Sequence, residues 1–147
     1  MARVDFYHLQ NSGLEEVLPK LVKKAYETGK PIKIKIGNEE RVEAINLLLW
    51  TYDDEDFLPH GSAKDGNAKM QPVYLSADDD NPNEASLLFM VDGAAVEDLS
   101  EFERVFNLFD GNDEAALGKA RAWWKKLKDE GAELFYWQQE KDKWVSK

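Results

Sequence analysis

Two hydrophobic periods alternate along this chain and predict strands separated by helices. Short runs rich in β-branched and aromatic residues predict strands at 4–9, 31–36, 73–75, 86–91 and 134–138. Apolar residues three and four positions apart predict helices at 14–25, 38–50, 102–109 and 114–130. This alternation predicts an α/β fold, a three-layer α/β/α sandwich around a mostly parallel or mixed central sheet. The chain shows no internal repeat or linker, so we expect one domain over residues 1–147.

Local signals predict where several of these elements begin and end. Ser12 and Ser100 each precede a glutamate by three residues, the spacing of a capping box, and predict the starts of the first and third helices. Asn38 is the predicted cap of the second helix, and Gly131 is the predicted end of the fourth. The strand at 31–36 (PIKIKI) alternates apolar and basic residues, so we expect one of its faces to lie in water.

Composition and charge narrow the classes of function. A chain of 147 residues with 43% hydrophobic residues can bury a substantial core. It has no cysteine, which excludes disulfides and thiol nucleophiles and fits a reducing cytoplasm. The formal net charge of −10 opposes strong direct binding to nucleic acid or to anionic membranes. No apolar stretch is long enough for a signal peptide or a membrane span.

Enzyme motifs are the next class to test, because α/β sandwiches often carry them. The chain has no G-x-x-x-x-G-K-[ST] phosphate loop, no G-x-G-x-x-G after its first predicted strand and no G-x-S-x-G elbow. A small enzyme acting on a nucleotide or phosphoester would need such a phosphate cradle or a set of metal ligands. That enzyme remains the rival to a protein-binding function.

Two histidines and two acidic segments are the candidates for metal binding. A zinc site shared by His8 and His60 would also need carboxylates, and ordinary hydrogen bonds are the favoured alternative for both. The segments 78–81 and 110–114 invite a calcium interpretation, but Pro82 and Arg121 stand where a calcium loop needs ligands. Solvated turns explain both segments better, and we predict no catalytic residue, no cofactor and no metal.

The fourth predicted helix concentrates basic residues in an acidic chain. Around one flank of this helix lie, in angular order, Leu117, Trp124, Lys128, Arg121 and Lys125. Such a surface could bind an acidic peptide that ends in an apolar residue. The alternative is a solvated helix face whose lysines balance nearby acids, with the tryptophan in the core.

The segment 49–61 (LWTYDDEDFLPHG) combines aromatic residues, four consecutive acids and a Pro-His-Gly turn. Trp50 and Phe57 are either presented to a partner or cover the edge of the core. The chain resembles the chi subunit of the bacterial DNA polymerase III clamp loader in the order of three features: L-W at 49–50, F-L-P-H at 57–60 and the late basic helix. The strand at 6–7, the helix predicted around 102–106 and Trp144 match that family as well. The resemblance covers nearly the whole chain.

This resemblance implies a non-catalytic adaptor with a Rossmann-like fold that lacks a nucleotide site. Members act in DNA replication as accessory subunits, so any nucleotidyltransferase activity would belong to the polymerase complex. They bind the acidic, phenylalanine-ended tail of single-stranded-DNA-binding protein. By position that site contains Leu117, Arg121, Trp124, Lys125 and Lys128. The family pattern has tyrosine in place of Trp124 and arginine in place of Lys128, and both substitutions keep the aromatic or cationic character.

The resemblance also implies a second partner surface at Trp50 and Phe57. In the family this surface docks the psi subunit or an XPD-like helicase, and here it could instead meet the clamp-loader core directly. A repair adaptor that acts through the helicase is therefore the alternative to a replication subunit. Neither role implies a cofactor, a membrane or strong direct binding to nucleic acid.

Overall fold

The structure is a computed structural model that describes residues 3–9, 13–51, 60–62, 68–94, 96, 99, 101–140 and 143–146. In chain order its elements are β1 (Arg3–Leu9), α1 (Leu14–Tyr26), β2 (Ile32–Ile36), α2 (Glu39–Thr51), β3 (Gly61–Ser62), β4 (Val73–Ser76), β5 (Leu87–Val91), β6 (Arg104–Asp110), α3 (Glu114–Asp129), β7 (Glu133–Glu140) and β8 (Lys143–Ser146). Within these residues, no helix combines the length and the apolar content that crossing a membrane requires.

The eight described strands form one sheet in the order β3-β4-β2-β5-β6-β1-β7-β8. All neighbouring strands from β3 to β7 pair in parallel, and β8 pairs antiparallel with β7. The predicted mostly parallel or mixed sheet is confirmed. The chain crosses from β1 to β2 through α1 and from β6 to β7 through α3, so the carboxyl ends of these strands share one edge of the sheet.

Helices cover both faces of the sheet and divide the core in two. On one face, Leu18 of α1 and Ile45 of α2 lie in a buried cluster with Ile34 of β2. On the other face, Leu127 of α3 lies in a buried cluster with Phe6 of β1. This separation follows from the alternation of side chains along each strand. The predicted three-layer α/β/α sandwich is confirmed.

The predicted third helix at 102–109 is wrong, because strand β6 occupies this segment. Val105 and Phe109 are buried on the α3 side, whereas Phe106 and Leu108 are buried on the α1 side. A strand covered on both faces is apolar almost without interruption, and such a run also contains the three- and four-residue spacings of a helix. Its short length and its aromatic and β-branched content favour the strand.

The prediction that one face of β2 lies in water is also wrong. Lys33 and Lys35 are buried beneath the connection between β4 and β5, with exposed fractions of 2% and 9%. The Nζ of Lys33 donates to Ser76 Oγ at 2.6 Å and to Asp80 Oδ1 at 2.7 Å, and Lys35 pairs with Asp79. The acids of this connection are exposed, as a solvated turn requires, but two of them also neutralise buried lysines.

The helix starts follow the predicted signals in part. Asn38 caps α2, since its Oδ1 accepts a hydrogen bond from the amide of Glu40 at 2.9 Å. The N-cap of α1 is Gly13, which makes no side-chain capping bond. Ser12 and Ser100, the two predicted capping-box residues, lie outside the described residues.

Candidate functional site

The basic helix α3 is held at its start by Asp113. The carboxylate of Asp113 accepts from the amides of Ala115 and Ala116 at 3.0 and 3.4 Å. Asp110 turns the chain just before the cap by accepting from the amide of Asn112 at 2.9 Å. The segment 110–114 is therefore a turn followed by a helix cap, which satisfies orphan amides of the first helical turn.

The inner side of α3 fixes an aromatic group at the surface. Ala120 and Leu127 are buried, while Trp124 is partly buried. The ring of Trp124 meets Phe6 at 5.1 Å and Tyr136 at 5.8 Å between centroids, both in edge-to-face geometry. Trp124 is thus anchored by the core and still presents part of its surface to solvent.

Arg121, Lys125 and Lys128 form what we call the cation row. They are exposed and spaced four and three residues apart, so they follow one side of α3. Among the residues that the structure describes, none of the three takes part in a salt bridge. The alternative of a solvated helix face with the tryptophan in the core stays open, because Trp124 does pack against the core. Leu117 lies one turn earlier on α3, partly buried against the core.

His8 of β1 and Tyr136 of β7 form a pair next to Trp124, whose ring contacts Tyr136, and sequence patterns did not connect this pair to the site. Nδ1 of His8 is 2.6 Å from the hydroxyl of Tyr136. Burial lowers the pKa of His8, and the nearby charge of Arg121 lowers it further, while Asp110 acts in the opposite direction. Burial also raises the pKa of Tyr136, against the effect of Arg121. Pairing across 128 residues of sequence leaves no local signal that could have revealed this contact.

The two histidines lie in different parts of the sheet. Nε2 of His60 is 3.0 Å from the backbone oxygen of Asn46 in α2, and His60 directly precedes β3. Five strand spacings, about 24 Å, separate β3 from β1. His8 and His60 are therefore too far apart to share a zinc ion. The described residues contain no group of three His, Asp or Glu side chains that could hold a metal ion.

An open crevice of about 1090 Å³ lies at the carboxyl ends of β1, β5 and β6. Ligands of open α/β sheets commonly bind at this place. Here carboxylates outnumber cations by four to three among the described lining residues, and Arg41 is paired with Asp92 at 3.0 Å. Asp113 already occupies amides at the start of α3. This lining opposes a phosphate group and does not favour the nucleotide or phosphoester enzyme.

The predicted second surface falls mostly outside the described residues. Phe57 and the side chain of Trp50 belong to the part that is not described, although Trp50 itself stands in the last turn of α2. Leu47, one turn earlier on the same helix, is 62% exposed. A single exposed apolar side chain is normal on a protein surface, so Leu47 does not test the predicted second surface.

Comparisons with known proteins add a family to this geometry. A family model described as DNA polymerase III chi subunit, HolC, matches residues 1–135. The probable DNA polymerase III subunit chi of Rickettsia prowazekii is 31% identical over 109 residues, which cover 72% of this chain and 66% of the relative, just under two thirds of its length. The DNA polymerase III subunit chi of Pseudomonas aeruginosa is 28% identical over 111 residues, covering 74% of this chain and 77% of the relative.

Proposed function

The chain belongs to the DNA polymerase III chi subunit family, and we propose that it is a non-catalytic accessory subunit of the replication holoenzyme. In this role it links the clamp loader to single-stranded-DNA-binding protein by binding that protein's acidic C-terminal tail. Any nucleotidyltransferase activity belongs to the assembled polymerase. The observation that carries the proposal is the cation row, which lies beside an anchored tryptophan and has no described salt-bridge partner.

The chemistry of α3 matches an acidic tail that ends in an aromatic residue. Arg121 offers a planar fork of donors for a carboxylate, and Lys125 and Lys128 continue the positive charge along the helix. The terminal aromatic ring would lie against Trp124 beside Leu117. Exposed ion pairs contribute only about 0.2–1 kcal/mol each, so several of them and one aromatic contact are needed together.

The direct test is a titration of the protein with the C-terminal peptide of the same organism's single-stranded-DNA-binding protein, followed by fluorescence anisotropy. We expect Arg121→Ala to weaken binding about tenfold or more, and Lys125→Ala to weaken it less. Lys119→Ala is the matched control, because Lys119 is an exposed cation on the other flank of α3. Binding that Arg121→Ala and Lys119→Ala affect equally would contradict the proposed site.

We further propose that Trp50 and Phe57 dock a second protein. The candidates are the psi subunit, the clamp-loader core and a helicase of the XPD-like type. Leu47 lies one turn before position 50 on α2 and is exposed, so an apolar side chain of a partner would have access to it. Affinity purification from the native cell, with the wild-type chain and with Phe57→Ala, identifies the partner that this surface retains. Recovery of a helicase in place of polymerase subunits would favour the repair adaptor.

A further inference from the structure

Arg3 of β1 and Arg104 of β6, which we call the arginine pair, lie directly opposite each other in the register of these neighbouring strands. Both share the side of Phe106, in the cluster beneath α1, because side chains alternate along each strand. Like charges in such positions repel each other. The fully buried carboxylate of Asp5 offsets this repulsion, since its Oδ2 accepts from Nη2 of Arg104 at 2.6 Å and from Nη2 of Arg3 at 3.2 Å. Both guanidinium groups are therefore held next to one oxygen atom.

An aromatic ring holds each guanidinium of the arginine pair from a second direction. The guanidinium carbon of Arg3 lies 4.0 Å from the ring centre of Phe135, and that of Arg104 lies 4.5 Å from the ring centre of Phe106. Stacking on a ring and hydrogen bonding to a buried carboxylate together restrict the two side chains. The pair therefore loses little conformational freedom when an anion binds to it.

The arginine pair has more charge and more donors than Asp5 can satisfy. Asp5 already accepts two hydrogen bonds from Arg3, one from Arg104 and one from the indole of Trp137, about the capacity of one carboxylate. Nε of Arg104 is a buried donor without a partner among the described residues. Glu133 stands opposite Arg3 on β7, but the described residues show no ion pair between them. One positive charge is therefore left without an ion-pair partner in that part of the chain.

The arginine pair can be reached from solvent. The side chains of Arg3 and Arg104 are 35% and 36% exposed. Helix α1 connects β1 to β2 and therefore lies over β5 and β6, so no described helix covers β7 on this face. Trp137 of β7 is partly exposed there, and its ring stacks on that of Tyr7 at 6.4 Å between centroids. An aromatic surface thus continues beside the two cations.

We propose that the arginine pair binds an acidic side chain of a partner protein, with Trp137 as the apolar part of the same surface. Arginine and tryptophan are among the residues most enriched at the energetic centres of protein interfaces. A nucleic-acid phosphate would meet the same guanidinium groups, but the net charge of −10 opposes that partner. The arginine pair and the cation row lie on opposite faces of the sheet. The surface is therefore separate from the proposed peptide site, and the protein can hold two acidic segments at once.

The test is a titration of the full chain followed by nuclear magnetic resonance. The probe is a short peptide of alternating glutamate and leucine, blocked at both ends, and the signals are the indole N–H of Trp137 and the Nε–H of Arg104. We expect both signals to shift as peptide is added at constant pH and salt. The indole of Trp124 reports binding at the cation row separately. Shifts confined to Trp124 would overturn the proposal and leave the proposed function standing.

A set of variants separates the fork of donors from the charge. Arg104→Gln should weaken the binding that Trp137 reports about tenfold, because charge-assisted hydrogen bonds are lost. Arg104→Lys should restore little of it, because lysine keeps the charge but not the planar fork. Lys30→Gln is the matched control, since Lys30 is an exposed cation that already pairs with Glu103. Equal losses in Lys30→Gln and Arg104→Gln would mean that only the overall charge matters, which contradicts the proposal.

A purely structural role for the arginine pair makes a different prediction. Arg104→Gln would then lower the stability of the protein, and the wild-type protein would show no peptide-dependent shift at Trp137. That result needs no variant to be seen, so it overturns the proposal even if Arg104→Gln fails to fold. Oligothymidylate is the second probe, in the same titration. A larger shift of Trp137 with oligothymidylate than with the peptide would assign this surface to nucleic acid and also overturn the proposal.

Discussion

Two groups of cations lie on the same side of the central sheet and meet opposite conditions. Lys33 and Lys35, which we call the lysine pair, point from β2 toward the α3 side and are buried. The cation row on α3 is exposed and lies several strands away. The chain has a net charge of −10, so it contains enough acidic residues to pair with either group.

The chain surrounds the lysine pair with its own oxygens. Lys33 donates to Ser76 and to both the carboxylate and the backbone oxygen of Asp80, the latter at 2.5 Å, and Asp79 pairs with Lys35. Burial lowers the pKa of Lys33, and the hydrogen bond with Asp80 offsets only part of this. A buried cation without such partners would cost several kcal/mol. The described residues provide no equivalent for the row, so its charge remains available to another molecule.

The largest effect that would sharpen this comparison is the loss of stability in Lys33→Met. Removing the ammonium leaves Ser76 and the backbone oxygens of the β4–β5 connection without their donor. We expect the free energy of unfolding to fall by about 3 kcal/mol, the low end for a buried ion pair, because Asp80 is 43% exposed. Urea denaturation measures it.

Lys125→Met is the matched control for this prediction, because it makes the same substitution in the cation row. It should change the free energy of unfolding by less than about 0.5 kcal/mol. Acid titration adds a second check. Burial raises the pKa of Asp80, but hydrogen bonds from Lys33 and Ser76 outweigh this and leave it lowered. Stability from Asp80 is therefore present above the unfolded pKa and is lost as the pH falls below about 4. Equal losses of unfolding free energy in Lys33→Met and Lys125→Met would contradict the comparison.

The next largest effect concerns the cation row. Arg121→Glu replaces an attraction for the acidic tail with a repulsion, and we expect about a hundredfold loss of peptide affinity, or about 2.7 kcal/mol. Lys119→Glu changes the net charge equally on the other flank of α3 and should weaken binding only a few fold. Anisotropy titrations of the two variants measure this difference. Similar losses would mean that the overall charge, and not the row, governs binding.

Sequence patterns predicted the frame of α3 well because its signals are local. Gly131, the predicted end of the helix, has φ +83°, and the next amide bonds back to Leu127 at 3.0 Å. The cap that Asp113 provides is an equally local feature, but it was not predicted. Cation and aromatic positions follow from the helical period alone. The helical period therefore predicts the site residues on one flank of α3, and their binding role stays a prediction.

Sequence patterns did not predict those features that depend on contacts between segments far apart in the chain. The burial of Lys33 depends on the β4–β5 connection, whose Asp80 lies 47 residues away. The strand β6 is apolar on both sides because two helix layers cover it, and that coverage cannot be read from residues 102–109 themselves. The contact of His8 with Tyr136 depends on the pairing of β1 with β7. Each of these features arises from tertiary structure and not from local preference.

Salt should affect the exposed cation row more than the buried lysine pair, and the expected effect is smaller than that of Arg121→Glu. Raising the salt concentration from about 0.1 M to about 1 M shortens the screening length from about 10 to about 3 Å. We expect peptide affinity to fall about tenfold, because the row is exposed. The stability difference between the wild-type protein and Lys33→Met should change by less than about 0.5 kcal/mol, because its ammonium is shielded from solvent. Peptide affinity that does not respond to salt would argue against ion pairing in the site.

The smallest effect concerns Asp113, an acid that α3 uses for its own backbone. Asp113→Ala removes the two capping bonds, and we expect the free energy of unfolding to fall by about 1 kcal/mol. Glu114→Ala, in the first turn and without a capping bond, should cost only about 0.3 kcal/mol. Peptide affinity should change less than about twofold in both variants, because Arg121 lies about two turns further along α3. If Asp113→Ala weakened peptide binding as much as Arg121→Ala, the start of α3 would belong to the site, and peptide binding could not be assigned to the cation row alone.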